Sequence, residues 1–351
     1  MRPTTATGTT RTTATDPTRA TTATMRAVTQ RRYGGTEQLT LREDVAVPSP
    51  GPGEVLVRVA AAGVDQGVWH LMAGLPLVVR FGFGLRRPKQ PVPGLALAGV
   101  VEAVGDDEAG ARFRVGDRVL GVGAGAYAEL AVARTDKLVQ APADLDLTAA
   151  AALPISAATA LQAVRDHGRA EPGLRVLVIG ASGGVGSYAV QIAAAVGAHV
   201  TAVASGAKAD LVRSLGADVV VDYRTTELTP QTTGGAFDLI VDIAGGRRLR
   251  HLRRLLTPTG TLVIVGAETG GRLTGGVQRQ IGASILNAFV KQRLVMFLAS
   301  EQADTLGRVV DLVAQGKVRP THGGTYPLDR VGDAIDDLRA GRVRGKAVVV
   351  P

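Results

Sequence analysis

The segment Gly180-Ala181-Ser182-Gly183-Gly184-Val185-Gly186 narrows the fold of this chain more than any other. It follows the apolar run Arg175–Ile179 and opens an Ala- and Val-rich stretch, Gly184–Val196, of helical character. Strand, glycine turn and helix in that order are the setting of a dinucleotide-binding βαβ unit. Gly183 lets the backbone approach a pyrophosphate, and Gly186 lets the helix lie close to the strand. The helix N-terminus adds free N–H groups and a positive dipole end. Ser182, Gly183, Gly184, Val185 and Gly186 are therefore the expected phosphate cradle. Ala181 departs from the fingerprint, because it stands where the first glycine falls. A plain tight turn is the alternative reading of the same glycines.

The residues that follow bear on the choice of cofactor. An acidic residue about 20 positions on would bind the ribose 2′-hydroxyl of NAD. Here the second strand ends Ala204-Ser205-Gly206-Ala207-Lys208, with no Asp or Glu at its tip. Ser205 can donate to a phosphate and Lys208 supplies positive charge, which favours the 2′-phosphate of NADP(H). The alternative for Lys208 is the start of a surface helix. Tyr223, closing the third strand, is placed to flank the adenine or the phosphate.

The rest of the chain divides by texture. Residues 1–24 are Thr, Ala and Arg with almost no large apolar side chain, and are expected to form a disordered tail. Met25–Arg31, Leu39–Val47, Glu54–Val64, Asp117–Leu120 and Tyr127–Val132 are short strand-like runs between Gly- and Pro-rich turns, the pattern of a β-barrel-like domain. From about residue 147 apolar strands alternate with helices: His199–Ala204, Phe237–Ile243 and Thr261–Val265 against Ala207–Leu215 and Arg247–Leu256. That alternation predicts a parallel sheet covered on both faces. Helices over Asp304–Gln315 and Val331–Ala340 and a last strand, Ala347–Val350, complete the expectation.

Composition removes several functions. The 351 residues contain no Cys, which excludes disulfides, thiolate metal sites and a cysteine nucleophile. No apolar run reaches the ~18–20 residues of a membrane span, and no signal-peptide arrangement is present, so a cytoplasmic location is expected. The net charge of +9 raises nucleic acid as a partner. Its densest part, Arg247–Arg254, is interleaved with Leu249 and Leu252 at helical spacing, as on the solvated face of an amphipathic helix, so no nucleic-acid partner is expected.

The ordered set of motifs resembles the medium-chain dehydrogenase/reductase superfamily, and most closely its zinc-independent quinone oxidoreductase branch, which includes NADPH-dependent enone reductases. The matching segments are the glycine loop, Leu211–Asp218 before a strand, Val115-Gly116-Asp117-Arg118-Val119, Gly125-Ala126-Tyr127-Ala128-Glu129 and Gly345-Lys346-Ala347-Val348-Val349. The resemblance implies an α/β protein. A GroES-like β-barrel domain would take residues 25–146 and 292–351, and a Rossmann doubly wound parallel-sheet domain residues 147–291. It implies a small-molecule substrate, a quinone or an α,β-unsaturated carbonyl, no membrane partner, and a homodimer as the assembly to expect. Where zinc-dependent relatives carry Gly-His-Glu, this chain reads Gly94-Leu95-Ala96, and its five histidines are dispersed. No metal is therefore expected. A conjugated acceptor takes hydride without a Lewis acid, because conjugation spreads the negative charge.

Site residues carry over one at a time. Thr159 resembles the family threonine near the nicotinamide. Ala244, Gly245, Val265 and Gly266 end strands of the cofactor domain, where parallel sheets place ligands. Asp65 stands where the family has Asn in the active cleft, and Ala96 where it commonly has Asp. These departures imply either an altered substrate or dinucleotide binding without turnover. A turn residue is the plain alternative for Asp65. Trp69 and Tyr127 are candidates for the cleft wall or for buried packing. Phe81 and Phe83 sit in a Gly-rich loop, Arg80–Leu85, that is a candidate mobile cover. Leu286–Phe297 is a candidate subunit contact or cleft rim.

Overall fold

The computed structural model describes residues 23–105, 112–266, 282–283, 286–287 and 289–351. The expected tail falls outside them except for its last two residues. Thr24 already belongs to strand β1 (Thr24–Gln30), paired with Ala46 of β2 (Leu39–Ala46).

The two expected domains are present. The first is built on β3 (Glu54–Val64), the longest strand. It pairs with β4 (Ala96–Val104) on one side and with β6 (Leu130–Arg134) and β15 (Lys346–Val350) on the other. β5 (Arg118–Val122), β7 (Leu138–Gln140) and β14 (His322–Pro327) complete a seven-stranded sheet. Period-two burial along β3 and β4 puts Val55, Val57, Leu97 and Val101 into one core. Helix α1 (Gln66–Ala73) seals this core with Val68 and Met72.

The second domain is a six-stranded parallel sheet. Its strands are β8 (Arg175–Ile179), β9 (His199–Ala204), β10 (Val219–Asp222), β11 (Phe237–Asp242), β12 (Leu256–Ile264) and β13 (Arg293–Met296). The order β10-β9-β8-β11-β12-β13 reverses direction between β8 and β11, and at such a switch point the strand ends leave a crevice. The strands are apolar on both faces because helices cover both.

Three expectations need correcting. The boundary at 292 falls too early: Leu294 of β13 is buried and pairs with Leu262, so this strand belongs to the parallel sheet. The helix expected over Arg247–Leu256 is shorter. Leu256 is buried opposite Phe237 and starts β12, so α7 keeps only Leu249–Arg254. Arg80–Phe83, read as part of a mobile cover, is a short helix, α2. The Tyr33 hydroxyl donates to the Gly84 carbonyl at 2.6 Å, and the Arg80 guanidinium lies over the Tyr33 ring. Leu286–Phe297 falls partly outside the described residues; its described C-terminal part supplies β13.

The remaining helices are α3 (Leu147–Ala150), α4 (Pro154–Leu161), α5 (Gly184–Ala195), α6 (Ala209–Ser214), α8 (Ala303–Ala314) and α9 (Val331–Arg339). The chain returns to the first domain beside α5. Tyr188 on α5 donates to the Ala152 carbonyl and accepts from the Thr321 amide. Burial pushes the Tyr188 phenol well above its ordinary value, so it stays a neutral donor. The Gly345 amide then donates to the Ser182 carbonyl at 2.9 Å, and the two domains meet at the glycine loop.

Candidate active site at the domain interface

The loop between β8 and α5 has the geometry its glycines suggest. Gly180 has φ +87°, in the left-handed region that favours glycine. A Cβ on Gly186 would stand 2.1 Å from the Gly180 carbonyl oxygen, so only glycine allows α5 to lie this close to the turn. A Cβ on Gly183 would meet nothing nearer than 3.5 Å. Space is therefore open over Gly183, where a ligand would approach.

A cavity of about 430 Å³ lies at the ends of β8, β9 and β11. Of the expected cofactor residues, Ser182, Gly183, Ser205, Lys208, Tyr223 and Ala244 line it. Gly184, Val185, Gly186, Gly245, Val265 and Gly266 do not. Val185 packs against the apolar core. Gly245 donates its amide to Asp242 Oδ1 at 3.2 Å, which shapes the turn after β11. Val265 and Gly266 donate to the Asp242 carbonyl, and a Cβ on Gly266 would collide with the Ile243 carbonyl oxygen. These six residues shape the turns around the cavity.

Lys208 differs most from its expected role. Its ammonium donates to the carbonyls of Gly341 (2.8 Å) and Val343 (2.6 Å), in the strap that joins α9 to β15. Two of its three N–H donors are thereby engaged. Burial, helped by Arg344 and Arg224, holds its pKa below the ordinary lysine value. The strap forms the far wall of the cavity through Gly341, Val343 and Gly345, beside Leu338 of α9.

Sequence reasoning missed Arg224 and Arg247, which line the same cavity. Their signal was position: each follows shortly after the end of a parallel strand. Among the described residues no acidic side chain lines the cavity. Asp222, close to the β9 tip, is occupied by the Gly206 and Arg224 amides, both at 2.9 Å.

Sequence reasoning also missed a buried ion pair below the loop. Asp65 precedes α1, yet its side chain does not cap the helix, so the turn reading does not describe it. One carboxylate oxygen pairs with Lys346 Nζ, which also donates to Ser156 Oγ at 3.0 Å. The side chains of Lys346 and Asp65 are 2% and 6% exposed. Burial lowers the Lys346 pKa, and the Asp65 charge opposes that shift. The cluster lies under the start of α5: a Cβ on Gly184 would meet Ser156 Oγ at 3.0 Å and Lys346 Cδ at 3.4 Å. Lys346 had entered the sequence reading only as part of a family match. Its partner is 281 positions away.

Thr159, one turn after Ser156 on α4, is buried, and its hydroxyl donates to the Ile155 carbonyl at 2.7 Å. That leaves Thr159 an acceptor. Tyr127 is wholly inside the first domain's core and does not form a cleft wall. Trp69 packs at the edge of the same core with the Arg339 guanidinium over its ring at 4.3 Å. Phe83 lines a small apolar cavity beside α1, and Phe81 is 78% exposed. Among the described residues no three His, Asp or Glu side chains converge as metal ligands, and no helix is long and apolar enough to cross a membrane.

Known proteins share this architecture. The family described as "Alcohol dehydrogenase GroES-like domain" matches residues 51–143, and the one described as "Zinc-binding dehydrogenase" matches residues 215–349. A chloroplastic quinone-oxidoreductase, QR1, from Triphysaria versicolor is 31% identical over 93% of this chain and 98% of its own length. The quinone oxidoreductase of Homo sapiens is 32% identical over the same shares. Among solved structures, mycobacterial Rv1454c complexed with NADPH superposes with a TM-score of 0.79 at 28% identity, covering 93% of this chain and 100% of that one. Together with the two-domain fold and the cavity at the switch point, these matches show that the chain belongs to the medium-chain dehydrogenase/reductase superfamily, in its zinc-independent quinone oxidoreductase branch.

Proposed function

We propose that this oxidoreductase uses NADPH to reduce a quinone or an α,β-unsaturated carbonyl without zinc. The observation that carries the reading is the cavity at the strand ends, which is lined by Ser182, Ser205, Arg224 and Arg247 and, among the described residues, by no carboxylate. That donor set suits a dinucleotide with an additional phosphate. The relative solved with NADPH supports the same choice.

When bound, the dihydronicotinamide supplies the hydride. The chain's residues bind and orient. The loop at Ser182 and Gly183 faces the pyrophosphate. Ser205, Arg224 and Arg247 face the 2′-phosphate, with the remaining Lys208 N–H beside them, and Tyr223 flanks the adenine. Thr159, as an acceptor, suits an amide N–H of the cofactor better than a developing enolate oxygen. Asp65, paired with Lys346, acts as a positioning residue that fixes α1 and β15 under the loop. A two-electron reduction of a conjugated acceptor is balanced by one proton from solvent, so no buried general acid is required. In this reading the protein is cytoplasmic and acts on a small molecule.

The test follows loss of the dihydronicotinamide absorbance without oxygen, against matched quinones and enones, with NADH as the comparison cofactor. Acceptor-dependent oxidation of NADPH in preference to NADH is expected. Tight NADPH binding with no oxidation by either acceptor set would replace this reading with binding without turnover.

A further inference from the structure

Next to the dinucleotide cavity lies a second, open cavity of about 710 Å³. The two share Tyr223, Arg224 and Arg247. Beyond these shared residues the wall is the segment 225–228 together with Arg248 and α7, which contributes Arg250, His251 and Arg254. Among the described residues Glu227 is the one acidic residue in the lining.

Several surface arginines are neutralised by near carboxylates: Arg58 by Glu102, Arg134 by Asp136, Arg308 by Asp166 and Arg342 by Asp337. Among the described residues, the guanidiniums of Arg224, Arg247, Arg250 and Arg254 form no ion pair and no hydrogen bond. Arg250 and Arg254 are one turn apart on the same helix face, where like charges repel. One 2′-phosphate at the shared mouth cannot also neutralise Arg254, which stands about 6 Å further along the helix than Arg250.

We propose that this groove is a second anion site, which takes a phosphate chain of at least two units. The chain is either inorganic polyphosphate or the polyphosphate tail of a nucleotide. Its occupant engages Arg250 and Arg254 at one end and Arg224 and Arg247 at the other. It therefore opposes the cofactor that places a phosphate at the same mouth. Only this antagonism rests on the NADPH reading; the site itself rests on the unpaired arginines.

Calorimetric titration of the full chain tests the site, using tripolyphosphate, ATP and orthophosphate at matched ionic strength. Tripolyphosphate is expected to bind at least about tenfold more tightly than orthophosphate. The double variant R250Q/R254Q is expected to lose about tenfold in tripolyphosphate affinity. It should keep its unfolding temperature and its NADPH affinity. ATP binding more tightly than tripolyphosphate assigns the site to a nucleotide; the reverse assigns it to inorganic polyphosphate. Either order supports the site. Tripolyphosphate affinity unchanged in R250Q/R254Q, or equal to that of orthophosphate, overturns it. So does binding of duplex DNA without binding of tripolyphosphate. In a competition arm, tripolyphosphate should weaken NADPH several-fold more than NADH; equal weakening overturns the antagonism. If NADPH does not bind at all, the functional reading fails, and the R250Q/R254Q titration still decides the groove.

Discussion

Two groups of charge are handled in opposite ways, one where the two domains meet and one on a groove of the parallel-sheet domain. Lys346, Asp65 and Ser156 are buried and paired with one another across three distant stretches of chain, although the second Asp65 carboxylate oxygen has no partner among the described residues. Arg224, Arg247, Arg250 and Arg254 are left open around a groove without a partner among the described residues. A buried charge must be matched within the fold, because desolvating it alone costs several kcal/mol. An exposed charge carries no such penalty and stays available to a ligand. The first group ties distant stretches of chain together, and the second faces open space.

The hardest test of this contrast removes one buried partner. Lys346→Met should destabilise the fold by about 3–5 kcal/mol, because Asp65 is left as an unpaired buried charge. Urea unfolding reads this directly, and adding Asp65→Asn in the same chain should recover most of the loss. A small loss with no recovery would mean that the pair is not what fixes the interface.

Two glycines three positions apart separate shape from recognition. Gly183→Val should lower dinucleotide affinity by about 100-fold, roughly 2.7 kcal/mol, with an unchanged unfolding temperature. Gly186→Ala should cost about 1–3 kcal/mol of stability through overpacking. Binding titrations and thermal melts on both variants would have to show this crossed pattern. Among the open charges, Arg247→Ala should weaken NADPH about tenfold and NADH much less, since one charge-assisted contact is lost. The smallest effect is expected at Lys208. Lys208→Met gives up two carbonyl contacts, about 1 kcal/mol each at most after allowance for its half-exposed position. It should change the NADPH-to-NADH affinity ratio less than Arg247→Ala does. A larger change at Lys208 would return the reading of the 2′-phosphate to that residue.

The fold was legible because its signals are local. The glycine loop, the alternation of apolar strands with helices and the Gly/Pro-punctuated strands each state a preference within a few residues. The misread boundary at 292 came where that locality fails. Arg293–Met296 is four residues long, and only its pairing with β12 makes it a strand of the cofactor domain. The candidate site was half legible. Ser182, Gly183, Ser205, Lys208 and Tyr223 share one cavity because strand ends in a parallel sheet converge. The partners of Asp65 and Lys208 could not be read, since each lies more than 130 positions away. Arg253 donates to Gln292 Oε1 at 2.9 Å and is no part of a solvated face, whereas Arg250 and Arg254 are exposed. That they face a cavity shared with the strand ends depends on how α7 docks, and helical spacing does not encode docking.

The Lys208 clasp has a kinetic consequence. The floor of the dinucleotide cavity belongs to one domain, and its far wall is a strap of the other, fastened at Gly341 and Val343 and again where Gly345 meets Ser182. A ligand seated between them can leave only by the open mouth or when the strap lifts. Since Arg224 and Arg247 stand at that mouth, an anion held there would block the exit as well as the entrance. Exchange of the dinucleotide would then be paced by how often the two domains part, so residence time can be tuned at the strap without altering any residue that touches the acceptor.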